Sequence, residues 1–232
     1  MLSLRLLAIL AFSAIASSTS NKVDCEVTTD FQDPSLPAAV LSGTIGVNNK
    51  LPMPYRGANW DPTFRVFQST SAQNLANPNK FIYVGDGADT TVLARLSADT
   101  AGGFAQLKLE QYATYCLART QNSAVVYLMD CTVDVLDSSD LSKPPFDSYR
   151  FQTTQRVDLP ALKDDDFLDP HNVTNPPLIR SAAFRVTYHP DRLAELLGGI
   201  PANGYGFVID NIVYGLKRSP GSTVPCPRDL SA

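Results

Sequence analysis

Apolar residues return at every second position in a series of short runs along this chain, and clusters of turn-forming residues separate the runs. A period of two puts alternate side chains on opposite faces of an extended backbone, so each run predicts a strand with a buried face. The runs cover 22–29, 39–47, 63–68, 80–84, 91–96, 106–116, 125–136, 148–157, 179–189 and 205–216. Between them, "NPNK", "GDGAD", "DTAGG" and "SKPP" supply the Gly, Pro, Asn and Asp that turns favour. The helix candidate is "HPDRLAELLGG" (His189–Gly199), with Leu193, Leu196 and Leu197 at helical spacing and two glycines at its end. Many short strands, one short helix and 17 prolines predict an all-β fold, an antiparallel β-sandwich.

One run changes phase. In "GYGFVIDNIVYG" (204–215), Phe207 and Ile209 share one parity and Ile212 and Tyr214 the other, with Asp210 and Asn211 at the slip. An extra residue in one strand moves every later side chain to the opposite face, so the slip predicts a β-bulge at Asp210–Asn211.

The first residues place the protein. "MLSLRLLAILAFSAIASS" has an early cation, Arg5, an apolar run from Leu6 to Ile15 and an Ala14-x-Ala16 pattern, which reads as a secretory signal peptide over 1–16. The remaining 17–232 read as a single secreted domain, with no linker or internal repeat dividing them. Without Arg5 the chain has 18 cations against 23 anions, a balance that argues against nucleic acid or an anionic membrane as partner.

Four cysteines in a secreted chain read as two disulfides. Cys116 ends one strand-like run and Cys131 begins another, across a polar loop, so they suit an antiparallel pair. Cys25 and Cys226 lie near the two ends, where a bridge fastens the termini together. Zinc spacing is absent, since no two cysteines are two to four residues apart and His171 and His189 have no matching partner.

Three stretches, "LPMPYRGANWDPTFRVF", "LKLEQYATYCLARTQNSAVVYLMDCTVDVLD" and "GFVIDNIVYG", resemble a family of uncharacterised fungal secreted proteins. That resemblance covers most of the mature chain and implies a fold and a compartment, not an activity. The closing strand is also similar to the last strand of jelly-roll, galactose-binding-like carbohydrate modules, which implies a jelly-roll-like sandwich. In such modules the acid equivalent to Asp210 often binds a structural calcium with acids or carbonyls of the N-terminal strand, for which the candidates here are Asp30 and Asp33; Gln32 stands in that strand, where the resembling proteins tend to have Glu. The alternative is that Asp210 and Asn211 simply hydrogen-bond a neighbouring loop.

Candidate chemistry is sparse. In "YRGANWD", Tyr55 and Trp60 can offer ring faces to a sugar while Arg56, Asn59 and Asp61 meet its hydroxyls. A lone tryptophan also suits a core, with Tyr55, Phe64 and Val66 around it. The acids Asp164, Asp165, Asp166 and Asp169 match neither a calcium loop nor a carboxylate pair and read as a solvated loop. Next to them, "NVT" marks Asn172 as an N-glycosylation acceptor. With no Gly-x-Ser-x-Gly elbow and no serine nominated for a triad, the expectation is a secreted, non-catalytic protein that binds cell-wall or host glycans, its partner a polysaccharide or glycoprotein surface. A glycan-active hydrolase or lyase, drawing on acids such as Asp130, Asp134 and Asp137, and a host-directed effector are the alternatives.

Overall fold

A computed structural model describes residues 22–36, 39–40, 50–68, 80–87, 89–120, 125–152, 155–158, 170–190 and 202–228. The alternating runs form strands: β1 (Cys25–Thr29), β2 (Ala39–Val40), β3 (Ala58–Trp60), β4 (Arg65–Gln68), β5 (Lys80–Gly87), β6 (Thr91–Ala98) and β7 (Phe104–Thr120). They continue with β8 (Val125–Met129), β9 (Cys131–Asp137), β10 (Asp147–Phe151), β11 (Gln155–Asp158), β12 (His171–Asn172), β13 (Ser181–Tyr188) and β14 (Ala202–Arg218). The signal peptide, the acids 164–169 and the helix-like stretch 191–199 lie outside the described residues.

Two sheets result. The larger runs β11-β8-β7-β14-β5-β4-β2, with β1 also on β14 and β12 also on β7; the smaller runs β10-β9-β13-β6-β3. Their described pairings are antiparallel apart from β2 on β4. Inner faces meet through aromatic rings: Tyr112 of β7 lies 5.6 Å from Phe184 of β13, and Phe184 lies 6.5 Å from Phe207 of β14. Each such ring, fully withdrawn from water, contributes on the order of 2–3 kcal/mol.

Two runs that read as single strands are each divided between the sheets. The run 125–136 breaks at Asp130, leaving β8 in the larger sheet and β9 in the smaller; the run 148–157 breaks in the same way, with β10 on β9 and β11 on β8. Both arms of one antiparallel ribbon therefore turn the corner together, as strands that change sheets do. This alters the reading of one disulfide. Cys116–Cys131 forms, but the residue opposite Cys116 on the neighbouring strand is Met129, and Cys131 has already passed to the other sheet. The bridge joins sheet to sheet, not the two strands of a pair. Cys25–Cys226 forms as expected and holds the C-terminal tail to β1 across a sequence separation of 201.

The phase slip is a bulge, and the topology explains its position. Along one edge β14 pairs with β7 throughout, with a register shift between Asp210 and Val213. Along its other edge it pairs with β5 over Tyr205–Ile209 and with β1 over Ile212–Leu216. Asp210 and Asn211 thus occupy the gap between two different neighbours, where the ladder is interrupted. Asn211 takes a left-handed φ of 46°, which Asn tolerates better than most residues, and its N–H donates to Asp210 Oδ1 at 2.8 Å. After the slip Ile212 and Tyr214 face the core as Phe207 and Ile209 do before it.

Candidate functional site

The stretch 55–61 forms no exposed platform. Ala58–Trp60 is an edge strand, β3, and its alternation buries Ala58 and Trp60 while Asn59 faces outward. Trp60 is 2% exposed, packed against Phe31 (5.5 Å), Phe64 (5.8 Å) and Tyr214 (6.3 Å), and its indole N–H donates to the Tyr55 carbonyl at 3.3 Å. Tyr55 is 7% exposed and stacks on Phe31, and its burial raises the phenol pKa. Neither ring has a face open to a sugar, so the core reading describes both. Arg56 donates to the Thr28 carbonyl at 2.7 Å and so ties the loop to β1. Asp61 accepts from the Thr63 N–H and hydroxyl, closing a turn.

Asn59 meets an opening. It lines a cleft of about 450 Å³ on the outer face of the smaller sheet, together with Ser97, Ser138 and Ser181. Register explains why they meet: Asn59 lies opposite Ser97, Ser97 opposite Ser181, and the Ser138 N–H donates to the Ser181 carbonyl. The Ser97 hydroxyl donates to Ser181 Oγ at 2.9 Å, and Ser181 in turn to the Leu96 carbonyl. Asn59 Nδ2 reaches Asp99 Oδ1 at 3.5 Å. Charged groups complete the lining: Arg95, Arg180 and Asp137, the last accepting the Ser139 N–H. These residues come from four separate strands or strand ends, so no local motif announces them.

Two of the acids linked to calcium, Asp30 and Asp33, are engaged in local turns. Asp30 accepts the Gln32 N–H, and Asp33 Oδ1 accepts the Ser35 N–H and hydroxyl. Burial pushes the Asp33 carboxyl up, but the Ser35 hydrogen bonds and the charges of Arg56 and Lys80 outweigh it and leave it below the ordinary carboxylate value. Lys80 is 8% exposed, and its ammonium donates to the carbonyls of Asp33 and Leu36 at 2.7 and 3.3 Å. A positive charge therefore already stands beside Asp33. Among the described residues no three His, Cys, Asp or Glu side chains are grouped to hold a metal.

A second polar cluster was not legible in the sequence. Asp147 of β10 accepts from the Tyr112 hydroxyl at 3.0 Å and lies 2.9 Å from His171 Nε2, while Tyr149 packs on the imidazole. Burial first, and then the Asp147 carboxylate, hold the Tyr112 phenol far above its ordinary value, so it stays a donor. Because Tyr112 and His171 belong to the larger sheet and Asp147 to the smaller, the cluster is a polar link between sheets. Asn172 and Thr174 beside it are exposed, as a sequon must be. Of the remaining acids, Asp134 pairs with Arg185 at 2.8 Å and accepts from Ser148, and Asp130 is buried at the ribbon corner.

No protein-family model matches the chain, and no curated protein matches it. Among solved structures, one similar chain is a carbohydrate-binding module, TmCBM61, in complex with beta-1,4-galactotriose. The identity is 12%, the match covers 72% of this chain and 90% of that one, and the TM-score is 0.28. A score that low ties neither the fold nor the ligand of that module to this protein.

Proposed function

We propose that this protein is a secreted, jelly-roll-like β-sandwich that binds cell-wall or host glycans without cleaving them. The observation that carries the reading is the cleft on the smaller sheet, of saccharide size at about 450 Å³ and lined by amide, hydroxyl and guanidinium groups. The amide and hydroxyl groups can donate to and accept from a ligand covered in hydroxyls, and the guanidinium groups can donate to it. Asp137 is the one carboxylate among the described lining residues, and glycoside hydrolysis ordinarily takes a pair roughly 5 to 10 Å apart. The two disulfides suit an oxidising, extracellular compartment.

The test is retention on insoluble chitin, β-glucan, cellulose and mannan, with Asn59→Ala beside the wild type. Wild-type protein is expected to be retained on one polymer with a Kd in the micromolar to millimolar range. Loss of one amide contact should weaken retention about fivefold, at about 1 kcal/mol for a neutral hydrogen bond, with the melting temperature unchanged. Retention on none of the polymers, together with no binding of an acidic oligosaccharide in solution, sinks the reading, and release of reducing sugar moves it to the hydrolase or lyase alternative.

A structural calcium at Asp210 belongs to the same proposal. Its support is the bulge, which leaves backbone at 210–211 between two ladders, where carbonyl oxygens can join a carboxylate around a hard cation. EDTA is expected to lower the melting temperature and added calcium to restore it. An unchanged melting temperature with metal-free protein leaves a hydrogen-bonded bulge.

A further inference from the structure

We infer that the cleft takes an acidic saccharide, one bearing a uronate carboxylate or a sulfate ester; this rests on the glycan-binding reading and names its ligand class. The polar row Asn59, Ser97, Ser181 and Ser138 crosses the smaller sheet one strand at a time. With adjacent strands about 4.8 Å apart it spans about 14 Å, room for two or three sugar rings.

Two arginines flank that row on opposite sides. Arg95 pairs with Ala183, two residues along β13 from Ser181, whereas Arg180 precedes Ser181 and its carbonyl accepts the Ala98 N–H. Both arginines are exposed. The ion pairs on this face show what an engaged arginine looks like here: Arg185 is held by Asp134 at 2.8 Å. Arg95 and Arg180 carry no such partner among the described residues. Asp137 also lines the cleft and the buried Asp99 stands behind Asn59, so the two exposed guanidiniums are the cations the lining offers, on a chain whose formal net charge is −4.

A guanidinium presents a planar fork of donors that matches a carboxylate or sulfate two bonds at a time, and such charge-assisted pairs are about twice as strong as neutral ones. A neutral hydroxyl takes one donor of such a fork at a time, whereas an anion takes two. An acidic sugar in the row would bring its anion within reach of one guanidinium or the other, and attraction to the cleft would weaken as salt rises.

Calorimetric titration of the full chain tests this with three probes of equal length: an oligogalacturonate, its carboxyl-reduced neutral counterpart, and a sulfated galactan oligosaccharide. At least one acidic probe is expected to bind tenfold or more tightly than the neutral one, and more weakly in 0.5 M than in 0.1 M salt. Which acidic probe wins tells uronate from sulfate ester. Arg95→Gln/Arg180→Gln is expected to abolish that preference at an unchanged melting temperature, with Arg150→Gln, on the neighbouring β10, as a charge control that preserves it. If the neutral probe binds as tightly as the acidic ones, the acidic ligand is wrong and glycan binding stands. If the arginine variant binds the acidic probe unchanged, the cleft is not the site. If no probe binds and the four polymers retain nothing, the glycan-binding reading falls with it.

Discussion

Replacing Trp60 with alanine is expected to cost about 3–5 kcal/mol of folding stability, the range for deleting a large buried ring whose cavity cannot collapse. In this structure Trp60 is the centre of an aromatic group drawn from separate parts of the chain: Phe31 after β1, Phe64 before β4 and Tyr214 on β14. The substitution also removes the indole donor from the Tyr55 carbonyl. For a chain of this size the loss corresponds to a fall of roughly 6–20 °C in melting temperature. Asn59→Ala is the internal comparison, because the adjacent side chain faces outward and surface changes cost about 0.5 kcal/mol or less. Denaturation of both variants reads the difference. A Trp60→Ala protein as stable as the wild type would mean that the ring is not in the core.

Removing the Cys25–Cys226 bridge, as Cys25→Ala/Cys226→Ala, is expected to cost about 5 kcal/mol in the chain-entropy account, because the bond closes a loop spanning 201 positions. The same account gives about 3 kcal/mol for Cys116–Cys131, whose separation is 15. Local structure points the same way for the first bridge. β1 pairs with the second half of β14 and contributes Val27 to the core, while Asp24 accepts the Arg218 N–H at 2.7 Å beside the tail that Cys226 anchors. Urea titration of the double variant measures the loss, and a decrease below about 1 kcal/mol would show that pairing with β14 suffices to hold β1. Non-reducing peptide mapping that joined Cys25 to Cys116 would overturn the connectivity itself.

Much of the strand content was legible because it depends on neighbouring residues. Alternating apolar positions cannot be buried on one face except as strands, and seven of the ten predicted runs correspond to one strand each, while 39–47 is described only at β2 (Ala39–Val40). The slip at Asp210–Asn211 was legible for the same reason, since a change of parity with both halves buried requires an extra residue. Pairing of the cysteines followed from their positions at run ends and chain ends. What the sequence could not state is where a strand changes sheets: nothing local in 125–136 says that Met129 and Cys131 belong to opposite layers, because that depends on the ribbon bending over a core built from distant segments.

Burial of the aromatic loop was likewise a tertiary decision. Tyr55, Asn59 and Trp60 are equally suited to a sugar or to a core by type; β3 pairing along β6 places Asn59 beside Ser97 and turns Trp60 inward onto Phe31 and Tyr214. The cleft follows from the same pairing, for its asparagine, serines and arginines are separated by up to some 120 positions and share a face only after β3, β6, β13 and β9 take their register. Periodicity along a chain reports which residues leave water, whereas a binding surface depends on which strands become neighbours, and that is settled by long-range pairing and packing.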